Sequence, residues 1–321
     1  MKKTDNLISF IIPCYRSENT IEKVIDEIVA TVAERSEYDY EVICVNDMSP
    51  DGVWDVLQKI AAKNEKVKLI NFAKNQGKHS ALMAGHAAAS GEYVVDIDDD
   101  FQSPVNNLWK LMEPVVNGEC DVAMANYFKK SESLFKRFGS WVNKRMIASM
   151  LEKPVNLHWD NFTVMRRYIS DAILEYKNPY PYMEGLIFSV TRNVHIVMME
   201  DRSRADDNST GYTFKKSLDL WMNGLTAFSV KPLRVASMFG IIFAVAGFIW
   251  GTIILLQKFV FHTIEVLGYA SLASIMIFAM GVMMIMLGLM GEYIGRMYIS
   301  MNHIPQYTIK EKVNFDKEEE S

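Results

Sequence analysis

The sequence predicts an α/β domain, a mostly parallel sheet with helices on both faces, followed by amphipathic segments and a C-terminal pair of long apolar helices. Three observations carry this. Short apolar runs alternate with helix-length segments through the first part of the chain. Polar clusters follow three of those runs. Near the other end, two stretches of about 22 and about 26 residues carry no charge, and each is long enough to cross a hydrocarbon core of about 30 Å as a helix.

The strand-length runs are Leu7–Pro13, Glu41–Asn46, Val67–Asn71, Tyr93–Ile97 and Asp121–Ala125. Between them lie the helix-like segments Glu18–Ala33, Val53–Ala62, His79–Ala89 and Val105–Val116. In the first of these, Ile21, Val24, Ile25, Ile28 and Val32 recur at helical spacing. Met1-Lys-Lys ahead of Leu7–Pro13 is reminiscent of a signal peptide. The apolar run is too short and Asp5 and Asn6 interrupt it, so it reads as a strand. Ligands of such sheets bind outside the strand carboxyl ends. The clusters Tyr15–Glu18, Asp47–Asp51 and Asp98–Gln102 fall at those ends, which points to a nucleotide site.

Asp96-Ile-Asp-Asp-Asp-Phe-Gln102 places four carboxylates within five residues at a strand end. Their mutual repulsion calls for a cation or a set of hydrogen-bond donors. Mg²⁺ and Mn²⁺ prefer oxygen ligands and commonly share them with substrate phosphates. The motif therefore reads as a metal-diphosphate site or, taken alone, as a solvated acidic loop. Asn75-Gln-Gly-Lys78 forms a turn ahead of a helix, where Gly77 permits positive φ and the helix N-terminus offers N–H groups to an anion. It is also an ordinary turn, and it lacks the P-loop pattern.

The chain has 321 residues and is 50% hydrophobic, enough for one sizeable soluble domain and a further segment. A net charge of −5 argues against general nucleic-acid binding. Cys14, Cys44 and Cys120 have no metal-ligand spacing and suggest buried thiols in a reducing compartment. The six histidines form no paired ligand motif.

The uncharged stretches are Val235–Leu256 and Val266–Gly291. The short link Gln257–Glu265 makes them a hairpin. Lys215, Lys216, Lys231 and Arg234 precede the first, and Arg296, Lys310 and Lys312 follow the second, whereas the link offers only Lys258. Both ends, and the large N-terminal domain, should therefore face the cytoplasm. Gly247 and Gly251 have small-xxx-small spacing, suited to close helix contact. The acidic tail after Lys312 reads as a solvated or interfacial end. Ser133–Leu151, with Leu134, Phe138 and Trp141 beside Lys136, Arg137, Lys144 and Arg145, is a basic amphipathic helix that would lie on a membrane surface or pack on the domain. Phe214–Phe228 has similar character. Both would hold a site close to lipid headgroups. Asp201–Gly211 carries Arg202 and Arg204 among acidic residues. It reads as an exposed salt-bridged loop or as a phosphate-binding one.

Pro13-Cys-Tyr15, Asn46-Asp-Met-Ser-Pro-Asp51, Asn75-Gln-Gly-Lys-His-Ser-Ala-Leu-Met-Ala-Gly85 and Asp98-Asp-Asp-Phe-Gln102 resemble the inverting family-two glycosyltransferases of GT-A fold. Arg204…Ser209…Tyr212, Phe228-Ser-Val-Lys-Pro-Leu-Arg234 and Gly291-Glu-Tyr-Ile-Gly-Arg-Met-Tyr298 extend the resemblance over nearly the whole chain. The whole is similar to the polyprenyl-phosphate glycosyltransferases, a group that includes bactoprenol glucosyltransferase, undecaprenyl-phosphate aminoarabinose transferase and dolichol-phosphate mannose synthase. Relatives usually carry Tyr-Asn-Glu where this chain has Tyr15-Arg-Ser17, an aspartate where it has Asn46, and a glycine where it has Met48. They often carry arginine in place of Tyr127 and usually a glycine in place of Asp207.

The resemblance implies roles. Pro13, Tyr15, Asp47 and Asp98 would line the nucleotide. Asp98, Asp100 and Gln102 would hold Mg²⁺ or Mn²⁺ with the diphosphate. Asp160 matches an acidic position near the sugar, as a base or a positioning residue. Arg202, Arg204 and Ser209 would bind phosphate with Lys136 or Arg137. The implied partners are a nucleoside-diphosphate sugar (UDP being the expected nucleotide), undecaprenyl or another polyprenyl phosphate, membrane lipids, and further copies of the chain in a homo-oligomer such as a tetramer. The implied location is a bacterial inner membrane, multi-pass, with both termini cytoplasmic. The expected domains are a GT-A core at 1–130, the rest of the catalytic domain at 131–232, two transmembrane helices at 233–298 and a cytoplasmic tail at 299–321. Competing readings are a processive polysaccharide synthase, whose Gln-x-x-Arg-Trp motif does not occur here, and a membrane-anchored nucleotide-sugar-binding scaffold without activity.

Overall fold

The structure is a computed structural model and describes residues 6–127, 162–199, 231–259, 269–302 and 305–315. It divides into two units, residues 1–211 with 303–321, and residues 212–302.

The first unit is built on one eight-stranded sheet in the order β7-β5-β6-β4-β1-β2-β3-β8. β1 (Leu7–Cys14), β2 (Asp39–Asn46), β3 (Val67–Phe72) and β4 (Tyr93–Asp96) run parallel, as the alternation predicts. β1 is buried along almost its whole length, the pattern of a strand covered on both faces. The covering helices are α1 (Ile21–Ala33), α2 (Val53–Ala61), α3 (Lys78–Ala88) and α4 (Leu108–Val116). α1 buries Ile21, Val24, Ile25, Ile28 and Val32, the predicted face. It starts three residues later than the periodicity suggests. The Glu18 amide is committed to Asp51 Oδ2 at 3.1 Å, and the amides of Thr20 and Ile21 turn back to the Ser17 carbonyl. The segment expected to open α4 is instead a single 3-10 turn, Val105–Asn107.

α3 is buried on most of its surface, from Ser80 to His86. A Cβ on its Gly85 would run into the Ile11 side chain of β1, so glycine sets how closely helix and sheet approach. His86 is fully buried; its Nδ1 lies 2.8 Å from Ser170 Oγ, and its Nε2 lies 3.1 and 3.3 Å from the two carboxylate oxygens of Asp96. This chain joins α3 to β4 and to α5 (Arg167–Leu174).

Beyond β4 the sheet is mixed. β5 (Val122–Tyr127) falls one to two residues beyond its expected span. β6 (Thr163–Arg166) inserts antiparallel between β4 and β5, and β7 (Val194–Met199) runs parallel to β5. α6 (Met183–Val190) precedes β7. At the opposite edge, of the tail expected after Lys312 to be a solvated or interfacial end, Val313 and Asn314 instead belong to the sheet edge. β8 (Ile309–Val313) pairs antiparallel with β3, Tyr307 stacks on Phe72 at 5.3 Å, and Asn314 Nδ2 donates to the carbonyls of Ala61 and Val67, each at 2.9 Å. All three cysteines are buried free thiols.

The second unit holds α7 (Lys231–Phe259, 29 residues) and α8 (Tyr269–Met301, 33 residues). Phe243 of α7 meets Phe278 of α8 edge-on at 6.1 Å. Phe278–Gly295 is long and apolar enough to cross a membrane, and none of it is buried. Phe248, Ile285 and Ile294 are likewise exposed. Exposed apolar helix surface of this kind is solvated favourably by lipid.

Candidate functional site

β1→β2→β3 proceeds toward one edge, and β4 returns to the other side of β1. The crevice at the carboxyl ends of β1 and β4 is thus the switch point of the sheet, where open α/β folds bind ligands. Pro13, next to last in β1, pairs with Val45 of β2, and Tyr15 follows the strand with its side chain exposed. The Arg16 guanidinium lies 5.5 Å from the Tyr15 ring centre.

The predicted polar loops are bonded to one another. The Tyr15 amide donates to Asp99 Oδ2 at 2.8 Å, and the Arg16 amide donates to Ser49 Oγ at 2.7 Å. Gly52 N–H donates to Glu18 Oε2 at 2.7 Å, and Ser49 Oγ donates to Asp51 Oδ1. Burial alone would raise Asp51; the Ser49 hydroxyl and the amides of Glu18 and Val53 outweigh it and hold the carboxyl below its usual range.

Asp47 also holds the turn ahead of α3. It is almost fully buried, and its oxygens accept the amides of Gln76 at 2.6 Å and Gly77 at 2.8 Å. Its carbonyl accepts Asn75 Nδ2 at 3.0 Å. Asp47 therefore fixes the turn that starts α3, where Gly77 has φ +86°. Burial pushes its pKa up, and those amides oppose the push.

The acidic cluster is relieved by a donor for each carboxylate. Asp96 has His86. Asp98 pairs with the Lys78 ammonium, at the first residue of α3. Asp99 takes the Tyr15 amide, and its carbonyl accepts Thr20 Oγ1 at 2.6 Å. Asp100 Oδ1 accepts the Gln102 amide at 3.1 Å. Burial raises the Asp99 pKa, the Ser17 hydroxyl and Tyr15 amide lower it, and the charges of Asp98 and Asp100 add to the rise. The sequence reading gave Lys78 and Asp99 no role. The available signal for Lys78 was a cation directly after the Gly77 turn, at the same sheet edge as three aspartates.

Asp98, Asp100 and Gln102 lie together on the β4 loop and offer oxygen donors only, the chemistry that Mg²⁺ and Mn²⁺ prefer. Among the described residues no three His, Cys, Asp or Glu side chains gather as a metal-binding group. Oxygen donors of this kind would suit an ion whose coordination is completed by substrate oxygens. Asp160, Lys136, Arg137, Arg202, Arg204 and Ser209 lie outside the described residues.

The next polar cluster beyond Lys78 involves its neighbour His79. His79 Nδ1 accepts the Met183 amide at 3.4 Å, and its ring meets Tyr182 edge-on at 5.2 Å. Burial lowers the His79 pKa, while the Glu184 charge opposes that shift. Burial and then Glu184 push Tyr182 far up.

The chain as a whole is similar to known proteins. The description "Glycosyl transferase family 2" matches residues 9–174, and "GtrB C-terminal hairpin" matches residues 231–297. An undecaprenyl-phosphate 4-deoxy-4-formamido-L-arabinose transferase of Proteus mirabilis is 29% identical over 97% of this chain and 95% of its own. The bactoprenol glucosyl transferase of Shigella phage SfV is 30% identical over 94% and 98%. In fold the chain is similar to glucosyl-3-phosphoglycerate synthase from Mycobacterium tuberculosis, solved with Mn²⁺, UDP-glucose and phosphoglyceric acid. The TM-score is 0.50 at 19% identity, over 69% of this chain and 78% of that one. With a family match over half its length and a 30%-identical relative aligned over nearly all of it, this chain belongs to glycosyl transferase family 2, with a GT-A-type sheet and a GtrB-type C-terminal hairpin.

Proposed function

We propose that the protein transfers one sugar from a nucleoside diphosphate, UDP being the expected nucleotide, to a polyprenyl phosphate with inversion at the anomeric carbon. The observation that carries this is the mutual bonding of the β1, β2 and β4 loops at the sheet's switch point. Two relatives aligned over nearly the full chain are named for undecaprenyl phosphate and for bactoprenol, which supports the acceptor.

An acceptor phosphate oxygen forms the new bond to the anomeric carbon as the bond from that carbon to the donor diphosphate breaks. A phosphate monoester has its second pKa near about 6, so it arrives largely dianionic and needs no strong base. Asp160 then serves by orienting the sugar as readily as by taking a proton. Asp98, Asp100 and Gln102 would hold a divalent cation, which when bound neutralises the departing diphosphate. Lys78, at the start of α3, adds a fixed positive charge beside the same carboxylates. Arg202, Arg204 and the Lys136/Arg137 pair are the cations proposed to receive the lipid phosphate.

The apolar hairpin suits an isoprenoid acceptor, and the basic flanks favour a cytoplasmic face in a bacterial inner membrane. The test is to incubate the full chain with polyprenyl phosphate, Mg²⁺ or Mn²⁺ and a panel of UDP-sugars. A lipid product heavier by one glycosyl residue is expected. Free sugar alone, or extended polymer, would contradict the proposal.

A further inference from the structure

Glu184 sits in the first turn of α6 with its Oε2 buried and, among the described residues, without a hydrogen-bond partner. Native proteins rarely leave a buried carboxylate oxygen unsatisfied, and doing so is costly unless a ligand supplies the missing donor. The groups around it are polar on two sides. Tyr182 lies within reach of the carboxylate, and the Glu184 charge acts on the His79 ring. The Met183 N–H can only donate, so the His79 Nδ1 it meets is the acceptor and the ring proton is on Nε2. The cluster therefore offers both a ring N–H, on His79, and an acceptor oxygen, on Glu184. His79 directly follows Lys78, whose ammonium pairs with Asp98, and the Asp98 carboxylate is among the charges that act on the His79 ring.

We propose that His79, Tyr182 and Glu184 form the sugar-reading wall of the donor site, with Glu184 Oε2 accepting a hydrogen bond from a hydroxyl or amino group of the transferred sugar. The inference rests on the donor class proposed above and goes beyond it by assigning sugar selectivity to named residues. A pyranose bound through its diphosphate beside Asp98 and Lys78 brings hydroxyls that both donate and accept, which match the His79 N–H and the Glu184 oxygen. An isoprenoid chain would instead call for an apolar wall. A site built around such a hydrogen bond rejects sugars lacking the group, because its own buried oxygen is then left unpaired.

The test measures binding, not turnover, on the full chain in lipid nanodiscs, with UDP and a panel of UDP-sugars titrated into wild type and Glu184→Gln. Wild type should bind one or a few UDP-sugars better than UDP. Glu184→Gln should leave UDP affinity unchanged within about twofold, weaken the preferred UDP-sugar by about ten- to a hundredfold, and alter the ranking of the panel. Tyr182→Phe, which keeps the ring, should act in the same direction by a smaller factor and serves if Glu184→Gln does not fold. Equal loss of UDP and UDP-sugar would mean that the cluster only clamps α6 to α3, and would overturn the proposal. An unchanged ranking would also overturn it. Should wild type bind neither UDP nor any UDP-sugar, the donor class itself fails and this inference with it.

Discussion

Asp99, the middle aspartate of the triplet, accepts the backbone N–H of Tyr15 at 2.8 Å and so ties the end of β4 to the end of β1. Its neighbours face other donors, Lys78 for Asp98 and the Gln102 amide for Asp100. Asp99 thus acts as a strut between the two loops that frame the crevice. Asp99→Ala should cost about 1–3 kcal/mol of stability and weaken UDP binding about tenfold, because the loops lose their shared bond. Asp99→Asn keeps an acceptor oxygen and sheds a charge that burial disfavours, so it should recover most of both losses. Denaturant unfolding and UDP titration of the two variants check this.

Arg16 and Met48 hold φ of +60° and +48°. At these two positions the resembled family favours asparagine and glycine, the residues that tolerate left-handed backbone best. Both side chains are exposed, so little packing is lost on replacement. Arg16→Asn and Met48→Gly should each stabilise the fold, by about 0.5–1 kcal/mol. A lowered melting temperature in both variants would show that their side chains make contributions larger than the backbone strain.

Glu41 is buried in the sheet and accepts hydrogen bonds from Ser9 Oγ, Ser90 N and Ser90 Oγ, and an ion pair from Lys68 at 2.9 Å. Burial alone would raise its pKa; Ser9, Lys68 and the Ser90 amide together outweigh burial and hold it below the usual value. A carboxyl depressed in the folded state adds stability above its unfolded pKa of about 4.3, and loses it as pH falls through the lower folded value. Glu41→Gln should cost about 2 kcal/mol at neutral pH and progressively less in acid. Melting curves across that range should converge for the two proteins at low pH.

Asn314 donates to two carbonyls, Ala61 at the end of α2 and Val67 at the start of β3, and so fastens β8 to the sheet. Asn314→Ala should destabilise the first unit by about 1–3 kcal/mol. Hydrogen exchange should report the change first at the β3 and β8 amides. Uniform exchange across the sheet would argue against a local role.

The first four strands and helices were legible because their apolar spacing is strong and local, as the buried face of α1 illustrates. The α1 start was displaced because Glu18 and Thr20 serve the loop network, a tertiary demand that periodicity does not encode. β8 was not legible. Ile309-Lys-Glu-Lys-Val313 is short and charged, as edge strands often are, and its partner β3 lies far away in sequence. β6 was hidden for the same reason of distance, entering between β4 and β5 from across a long intervening segment. In the site, the acidic motif announced its own chemistry. The separate donor for each aspartate comes from α3, β1 and the local loop, and only the fold brings these together.

The central claim is that the Asp98–Gln102 loop supports departure of a nucleoside diphosphate as its sugar passes to a lipid phosphate. Its most direct test is the rate of polyprenyl-phosphate sugar formation by full-length wild type, Asp98→Ala and Asp100→Ala, each with Mg²⁺ or Mn²⁺ and with chelator. The account predicts synthesis by wild type that chelator abolishes, and a loss of at least about a hundredfold in each variant. Undiminished glycolipid formation in either alanine variant would contradict it.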